Sequence, residues 1–186
     1  MNGRFKIKTH KELRIAISGF SGCGNTTVSN LLAQKLNLPC INYTFKNVAE
    51  ELNIPFSEVL KKAQTDFIFD KMVDSRQTEL ASKTSCVLGS RLAIWLLQSA
   101  DLKVYLTASP DVRAERIYER EGGDIDAIKR ITSFRDKDDT RRYKKLYNID
   151  NTEYGFADLI IDTEKNTPEQ IVKIILKELK IRNLIS

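Results

Sequence analysis

The chain has 186 residues and a net charge of +5, and 41% of its residues are hydrophobic while 30% are charged. These values are typical of a globular protein with a full-sized core, and the mild charge indicates anionic ligands no more strongly than it indicates good solubility. The longest uncharged apolar run, LAIWLL at 92–97, is too short to cross a bilayer, so we expect no membrane association. We also expect no nucleic acid polymer as a partner.

The cysteines and the single histidine exclude several kinds of chemistry. Cys23, Cys40 and Cys86 are odd in number, far apart and without CxxC spacing, which predicts reduced thiols and a cytoplasmic protein. The basic start, MNGRFKIKTHKEL, is followed by no apolar stretch of a secretory signal. His10 is interpreted as an exposed surface residue, and no Ser–His or Cys–His arrangement is available for nucleophilic catalysis.

The first half of the chain begins with an apolar run that has β-branched residues. RIAIS at 14–18 predicts a strand that ends at a glycine, and residues 26–36 predict a helix with apolar positions at helical spacing. Residues 38–42 predict a second short strand. The amphipathic region 43–83 then predicts two or three helices.

The second half alternates in the same way. Strands are predicted at 85–89, 102–108 and 159–162, and a helix at 91–98. Ser109 and Pro110 predict the start of another helix, and Thr167, Pro168 and Gln170 predict a capping box before a C-terminal helix. Alternating strands and helices imply a parallel sheet covered on both faces, so we expect one α/β domain over residues 1–186.

The segment ISGFSGCGNTT at 17–27 follows the first strand and opens a helix. Its Gly-x4-Gly spacing lets backbone N–H groups converge on phosphate oxygens, and the Thr26 hydroxyl is expected to bind Mg²⁺. Lysine is usual in such loops at the position of Asn25. The predicted ATP-binding residues of the loop are Gly19, Ser21, Gly22, Cys23, Gly24, Asn25, Thr26 and Thr27.

Other interpretations of this loop are weaker. A strand-to-helix turn without a ligand would show the same glycines. A dinucleotide site is excluded because Thr27 stands at the third glycine position and no acidic residue ends the second strand. Cys23 needs no role beyond its small size.

Seven of the twelve arginines lie between Arg113 and Arg142. Arginine binds phosphate with two parallel hydrogen bonds, whereas lysine would suffice on a merely solvated helix. Arg113, Arg116 and Arg120 share one helix face, and so do Arg135, Asp139 and Arg142. Spacing alone leaves two interpretations open, a phosphate-binding cluster and a pair of charged surface helices.

These segments resemble the cytidylate kinases, in particular the archaeal-type, cytidylate-kinase-like branch of the nucleoside monophosphate kinases in the P-loop superfamily. The resemblance covers most of residues 14–165. It is carried by the phosphate loop at 19–27, DSRQ at 74–77, GSRLAIWLLQSADLKVYLTASPDVRAERIYERE at 89–121 and FRDKDDTRRYKKLYNID at 134–150. It implies a three-layer α/β/α fold with a five-stranded parallel sheet, a helical acceptor-binding insertion at about 43–83 and a mobile lid at about 120–145.

The resemblance also implies roles for individual residues. Arg91 would grip the acceptor phosphate and Asp139 the ribose hydroxyls, while the TEKN segment at 163–166 would lie against the adenine of ATP through Lys165. A surface helix turn would explain 74–77 nearly as well. The implied acceptor-binding residues are Lys46, Asp74, Arg76, Gln77, Arg91, Arg135, Asp139 and Arg142, and the implied catalytic residues are Arg116, Arg120 and Arg135.

Three departures from the family pattern affect the expected activity. Asn25 replaces the phosphate-loop lysine, Gly89 stands where related kinases place an acidic residue near Mg²⁺, and 41–43 replaces a small polar stretch that touches the acceptor. Lys46, where the family has arginine, is a weaker match. Asp101, before the fourth strand, is interpreted as structural.

Three hypotheses follow. The first is a monomeric kinase that uses ATP and Mg²⁺ to convert CMP, or dCMP, into the diphosphate at a modest rate. The second is a nucleotide-binding pseudoenzyme or sensor, and the third is a kinase with a different phosphorylated acceptor. Phosphoryl transfer suits the residues present, because it needs alignment and charge neutralisation more than a strong base.

Overall fold

The computed structural model describes residues 5–8, 12–63 and 66–186, so the interpretation of His10 lies outside the described residues. Within these ranges five strands form one parallel sheet: β1 (Arg14–Ser18), β2 (Cys40–Ile41), β3 (Cys86–Gly89), β4 (Leu102–Thr107) and β5 (Leu159–Asp162). The spatial order is β2-β3-β1-β4-β5. The phosphate loop therefore leaves the central strand, and the carboxyl ends of all five strands meet at one edge.

The sheet is covered on both faces, as the apolar strand sequences predict. Ile15 and Ile17 of β1 point to one face, and Ala16 points to the other; all three are fully buried. The first face packs against the helix after the phosphate loop and the C-terminal helix. This alternation places β1 between two apolar cores.

The helices between the strands fall largely where the sequence predicts them. Residues 43–83 form three helices with a small core of their own. The helices are α1 (Asn25–Leu36), α2 (Phe45–Leu52), α3 (Phe56–Ala63), α4 (Ile68–Ser82), α5 (Ala93–Leu96), α6 (Pro110–Glu121), α7 (Ile125–Tyr147) and α8 (Pro168–Ile181).

Two predicted elements are shorter in the structure. The predicted helix at 91–98 is only Ala93–Leu96, because Leu97 at φ −83° and ψ 81° has left the helical region. The predicted strand at 38–42 is the two-residue edge strand Cys40–Ile41. The apolar run at 92–97 packs as a compact turn against the sheet, so periodicity overestimates its helical length.

The helix starts read from the sequence are present. The Ser109 hydroxyl accepts a hydrogen bond from the Val112 N–H, and Pro110 is the first residue of α6. Thr167 and Gln170 form the reciprocal capping box of α8. Both helices thus begin directly beside the carboxyl edge of the sheet. None of the helices in the described ranges is long and apolar enough to span a membrane.

Candidate active site

A cleft of about 600 Å³ opens at the carboxyl edge of the sheet, between the phosphate loop, α2, α4, α6 and α7. Ligands of open parallel α/β sheets bind at this edge. Most of the predicted site residues reach its wall. These are Ser21, Gly22, Gly24, Asn25, Thr26, Thr27, Asp74, Gln77, Arg91, Arg116, Arg120 and Arg135.

The phosphate loop connects β1 to α1 by a tight turn in which the Cys23 N–H donates to the Phe20 carbonyl. Gly22 has φ +85°, and a Cβ atom there would lie 2.8 Å from the Cβ and carbonyl oxygen of Arg113. Only glycine fits this conformation and this space. Because α1 begins at Asn25, its first N–H groups lack intrahelical partners and can bind an anion.

Asn25 turns its side chain back into the loop. Its Nδ2 donates to the Gly19 carbonyl at 2.6 Å, and its buried Oδ1 has no hydrogen-bond partner among the described residues. The amide therefore braces the loop and supplies no charge to a phosphate. Cys23 is buried behind the loop, and burial raises the pKa of its thiol to about 11, so a catalytic thiolate is not supported.

Gly89, at the end of β3, has no room for a larger residue. A Cβ atom there would lie 2.4 Å from the Oγ and 2.9 Å from the Cβ of Ser29 in α1. The side chain of buried Ser29 therefore occupies the space that an acidic residue at position 89 would need. In the part of the chain that the structure describes, no group of three or more His, Cys, Asp or Glu residues is arranged to hold a metal ion.

The remaining donor set fits Mg²⁺ only as part of a metal–nucleotide complex. Thr26 is exposed on the cleft wall at the start of α1 and offers a hydroxyl oxygen. Protein-bound Mg²⁺ commonly keeps several waters and takes further oxygens from substrate phosphates. Thr26 is thus the residue here that would contact such a complex.

The three arginines of α6 differ in how exposed their side chains are. Arg116 is held by the Thr163 hydroxyl and carbonyl, both at 2.7 Å, and it donates to the Gly22 carbonyl at 3.3 Å. Arg120 lies on the cleft wall but is 63% exposed and pairs with Glu121. Arg113, predicted to share their face, is instead buried beneath the phosphate loop. The fixed cation beside the loop is Arg116, and Arg120 is free to change its position.

Helix α7 brings Arg135 and Asp139 to the same end of the sheet. Arg91, after β3, forms an ion pair with Asp139. Arg135 faces the cleft, and repulsion from Arg91 lowers its pKa, with burial as the second cause. Asp139 itself is 7% exposed and is not on the cleft wall. Two guanidinium groups thus lie close together at a place suited to an anion.

The acceptor-side helix α4 contributes a polar cluster. Asp74 accepts hydrogen bonds from the Tyr147 hydroxyl at 2.9 Å and from the Gln77 amide at 3.1 Å. Burial raises the pKa of Asp74 to about 6. Asp70, one turn earlier, lines the cleft and forms an ion pair with Arg142. Arg142 therefore acts on the cleft through Asp70.

Lys46 and Arg76, two of the predicted acceptor-binding residues, are not on the wall of the main cleft. Lys46 lines a separate cavity of about 540 Å³ between α2 and α3, with its ammonium 5.8 Å from the Phe56 ring centroid. Arg76 is paired with Glu51 and Glu79 on the surface. The weaker motif matches therefore have surface partners in this structure.

Lys165 is 81% exposed and pairs with Asp162. It lies at the edge of a third cavity of about 400 Å³, between the phosphate loop and the start of α8. Arg116 and Thr163 line the same cavity, which adjoins the phosphate loop at Gly24. This is the position in which the TEKN segment could contact a donor base.

Several residues of the site were missed by the sequence analysis. Asp70 lies one helical turn before Asp74, and Tyr143 and Tyr147 continue the face of Asp139, so helical spacing could have indicated them. Burial raises the pKa of Tyr143 to about 12. Arg113 and the segment 163–166 were noted in the sequence, but spacing gave no indication of their partners, which lie in distant segments.

Comparison with known proteins agrees with this geometry. Residues 14–165 match the cytidylate kinase-like family. Cytidylate kinase 2 of Borreliella burgdorferi is 47% identical over 176 residues, covering 92% of this chain and 98% of that protein. Cytidylate kinase of Archaeoglobus fulgidus is 35% identical over 175 residues, covering 92% and 97%.

The fold is shared more widely. The crystal structure of shikimate kinase from Bacteroides thetaiotaomicron has a TM-score of 0.61 at 18% identity, covering 90% of this chain and 98% of that one. At that identity the likeness shows the P-loop kinase fold, with its five-stranded parallel sheet and flanking helices. Because the family match spans most of the chain, the chain belongs to the cytidylate kinase-like family of nucleoside monophosphate kinases.

Proposed function

We propose that this chain transfers the γ-phosphoryl group of ATP to CMP, with dCMP as a second acceptor, giving the diphosphate and ADP. The observation that carries the proposal is the cleft itself. Its wall combines the phosphate loop with four arginines from separate parts of the chain, Arg91, Arg116, Arg120 and Arg135. The names of the relatives, all cytidylate kinases, support cytidylate as the acceptor.

The donor half is proposed to hold ATP along the phosphate loop. The N–H groups at the start of α1 would take the phosphates, and the cavity at residues 163–166 would take the adenine. Thr26 would contact Mg²⁺ bound to those phosphates. When bound there, Mg²⁺ neutralises negative charge that develops on the phosphoryl oxygens.

The acceptor half is proposed to lie over the helices at 43–83. Arg91 would hold the acceptor phosphate, and Asp70, Asp74 and Gln77, which line the same cleft, would face its base and sugar. Charge-assisted hydrogen bonds from arginine to phosphate are among the stronger polar contacts in proteins. The two substrates would therefore meet between two groups of hydrogen-bond donors, the N–H groups of the phosphate loop and the arginines of the cleft.

No strong base is needed for this reaction, since positioning and charge neutralisation supply most of the catalysis. Arg116 is already fixed, whereas the exposed Arg120 is proposed to move inward with the lid at about 120–145. Closure would exclude water and so limit hydrolysis of ATP. We propose that the chain acts as a monomer, and its separate free thiols support a cytoplasmic site of action.

The test is an acceptor panel with Mg-ATP and ADP as the measured product. CMP and dCMP should each release ADP in proportion to the acceptor added, with less release for UMP and AMP and almost none without an acceptor. ADP release that is equal with and without CMP would contradict the proposal. If a different phosphorylated acceptor causes strong ADP release, the chain would instead be assigned as a kinase of that small molecule.

A second candidate rests on Asn25 and Gly89. The Asn25 amide is hydrogen-bonded within the loop, and the space at Gly89 is occupied by Ser29, so two charges typical of the family are absent. A nucleotide-binding sensor would retain the cradle without turnover. Heat from Mg-ATP binding in calorimetry, combined with no ADP release for any acceptor, would favour this candidate.

A further inference from the structure

Arg113 lies beneath the phosphate loop and not in the cleft. It is 5% exposed, and its guanidinium connects two elements that are far apart in sequence. One nitrogen donates to the Ser21 carbonyl at 3.1 Å, and another pairs with the Asp136 carboxylate at 2.6 Å. A buried arginine requires such partners, because an unpaired buried charge is costly.

On the loop side, Arg113 contacts the backbone of the phosphate loop and fixes the direction of one of its carbonyl groups. Its Cβ and carbonyl oxygen occupy the space in which a side chain at position 22 would lie, and its guanidinium carbon is 5.3 Å from the Phe20 ring centroid. The hydrogen bond to Ser21 turns that carbonyl oxygen toward the protein interior. A carbonyl oxygen turned the other way would repel the phosphates that the loop amides attract.

On the lid side, Arg113 fixes α7. Asp136 directly follows Arg135, which lines the cleft, and three residues later Asp139 pairs with Arg91. The two carboxylates anchor this part of α7 to the core at two points, one on the donor side and one on the acceptor side. The position of Arg135 over the cleft therefore depends on both anchors.

We propose that Arg113 is a positioning residue that sets the shape of the phosphate loop and, through Asp136, holds Arg135 at the cleft. This role rests on the proposed phosphotransferase function. Arginine is required because its planar group donates to Ser21 and Asp136 at the same time. The donors of a lysine all lie on one nitrogen, so it lacks the planar group that spans these two partners.

The variants separate charge from packing. Arg113→Met keeps the aliphatic stem beside Gly22 but removes both polar contacts and the guanidinium over the Phe20 ring, and Arg113→Lys restores the charge. Asp136→Asn weakens the link to α7 and leaves the loop contact in place. Arg141→Met is the matched control, because Arg141 is on the same helix as Asp136, 77% exposed and paired only with Asp138 among the described residues.

We expect kcat to fall about tenfold to a hundredfold in Arg113→Met, with a KM for CMP close to that of the wild type, because a misplaced catalytic group commonly costs that much. Mg-ATP binding, measured by calorimetry, should weaken in Arg113→Met and remain in Asp136→Asn. Arg113→Lys should recover part of the loss. Arg141→Met should change none of these values.

A double-mutant cycle with Arg135→Lys tests the link directly. If Arg113 acts by holding Arg135, the two losses in kcat combine to less than their product. Losses that multiply fully, or an unchanged kcat per folded molecule with only a lower melting temperature, would overturn the proposal. Wild-type enzyme that is silent in the kinase assay would refute the proposed function, and the Mg-ATP titration of Arg113→Met would still decide the role of Arg113 in the loop.

Discussion

Arg91 and Asp139 form an ion pair although 48 residues separate them. Arg91 follows β3 and Asp139 belongs to α7, so this contact ties the carboxyl end of β3 to α7. An acceptor phosphate entering the cleft would find Arg91 already oriented by a carboxylate. The predictions below begin from this contact.

Arg91→Ala should weaken use of the acceptor while Mg-ATP binding largely survives. Arg91 lies on the cleft wall and is not part of the phosphate loop, so its removal should leave the donor cradle intact. We expect kcat/KM for CMP to fall at least about a hundredfold, as loss of a phosphate contact that strengthens in the transition state would cause. Arg141→Ala is the control. Loss of Mg-ATP binding with unchanged KM for CMP would contradict this assignment.

Asp139→Ala distinguishes two roles for one carboxylate. If Asp139 holds the ribose hydroxyls, the variant should lose more activity with CMP than with dCMP. Steady-state kinetics with both acceptors measures the ratio. An equal loss with both would remove Asp139 from the ribose and assign it to orienting Arg91, the partner it has in the structure.

Asn25→Lys should raise turnover, since it adds a cation where the donor phosphates are expected. The gain should be about tenfold or more if the wild-type loop simply lacks charge. Asn25→Met is the matched control, because it also removes the hydrogen bond to the Gly19 carbonyl but adds no charge. Active enzyme with no gain from lysine would mean that another cation, such as a lid arginine, already fills that place.

The raised pKa of Asp74 predicts that the free energy of unfolding depends on pH. Its folded-state pKa of about 6, raised by burial, exceeds the value near 3.9 of an unfolded chain. Between these values the folded protein binds the proton more strongly, so its stability falls as pH rises from about 4 to 6. Urea unfolding should show wild type losing stability relative to Asp74→Asn in this range, by at most about 1.4 kcal/mol per pH unit. A relative gain would contradict the burial of Asp74.

Gly89→Ala should destabilise the protein by about 1–3 kcal/mol, because the new methyl group overlaps Ser29. Thermal unfolding measures the loss. Gly155→Ala is the control, since a Cβ atom there meets no described atom within 4 Å. Equal melting temperatures for the two variants would show that α1 can move aside.

The sequence predicts the sheet and the loop well because both have local signals. The five strands are short apolar runs, and glycine spacing with the capping residues Ser109 and Thr167 marks the turns beside the site. The helix predicted at 91–98 is wrong in length, since an apolar run packed in a turn has the same composition as a buried helix.

The partners of the charged residues could not be predicted from spacing. Arg113 and Arg116 are three residues apart on one helix, yet one is buried under the loop and the other borders the cleft. Their partners, Ser21 and Thr163, lie 92 and 47 residues away. Such pairs depend on how distant segments are brought together by the sheet.

The contact between Gly89 and Ser29 also limits how this branch of the family can evolve. A lineage that needs an acidic side chain at the end of β3 cannot acquire it by a single codon change without a steric cost. Ser29 of α1, one turn beyond the phosphate loop, would have to move aside or be replaced for such a side chain to fit. The packing of α1 against β3 thus keeps a carboxylate out of this position.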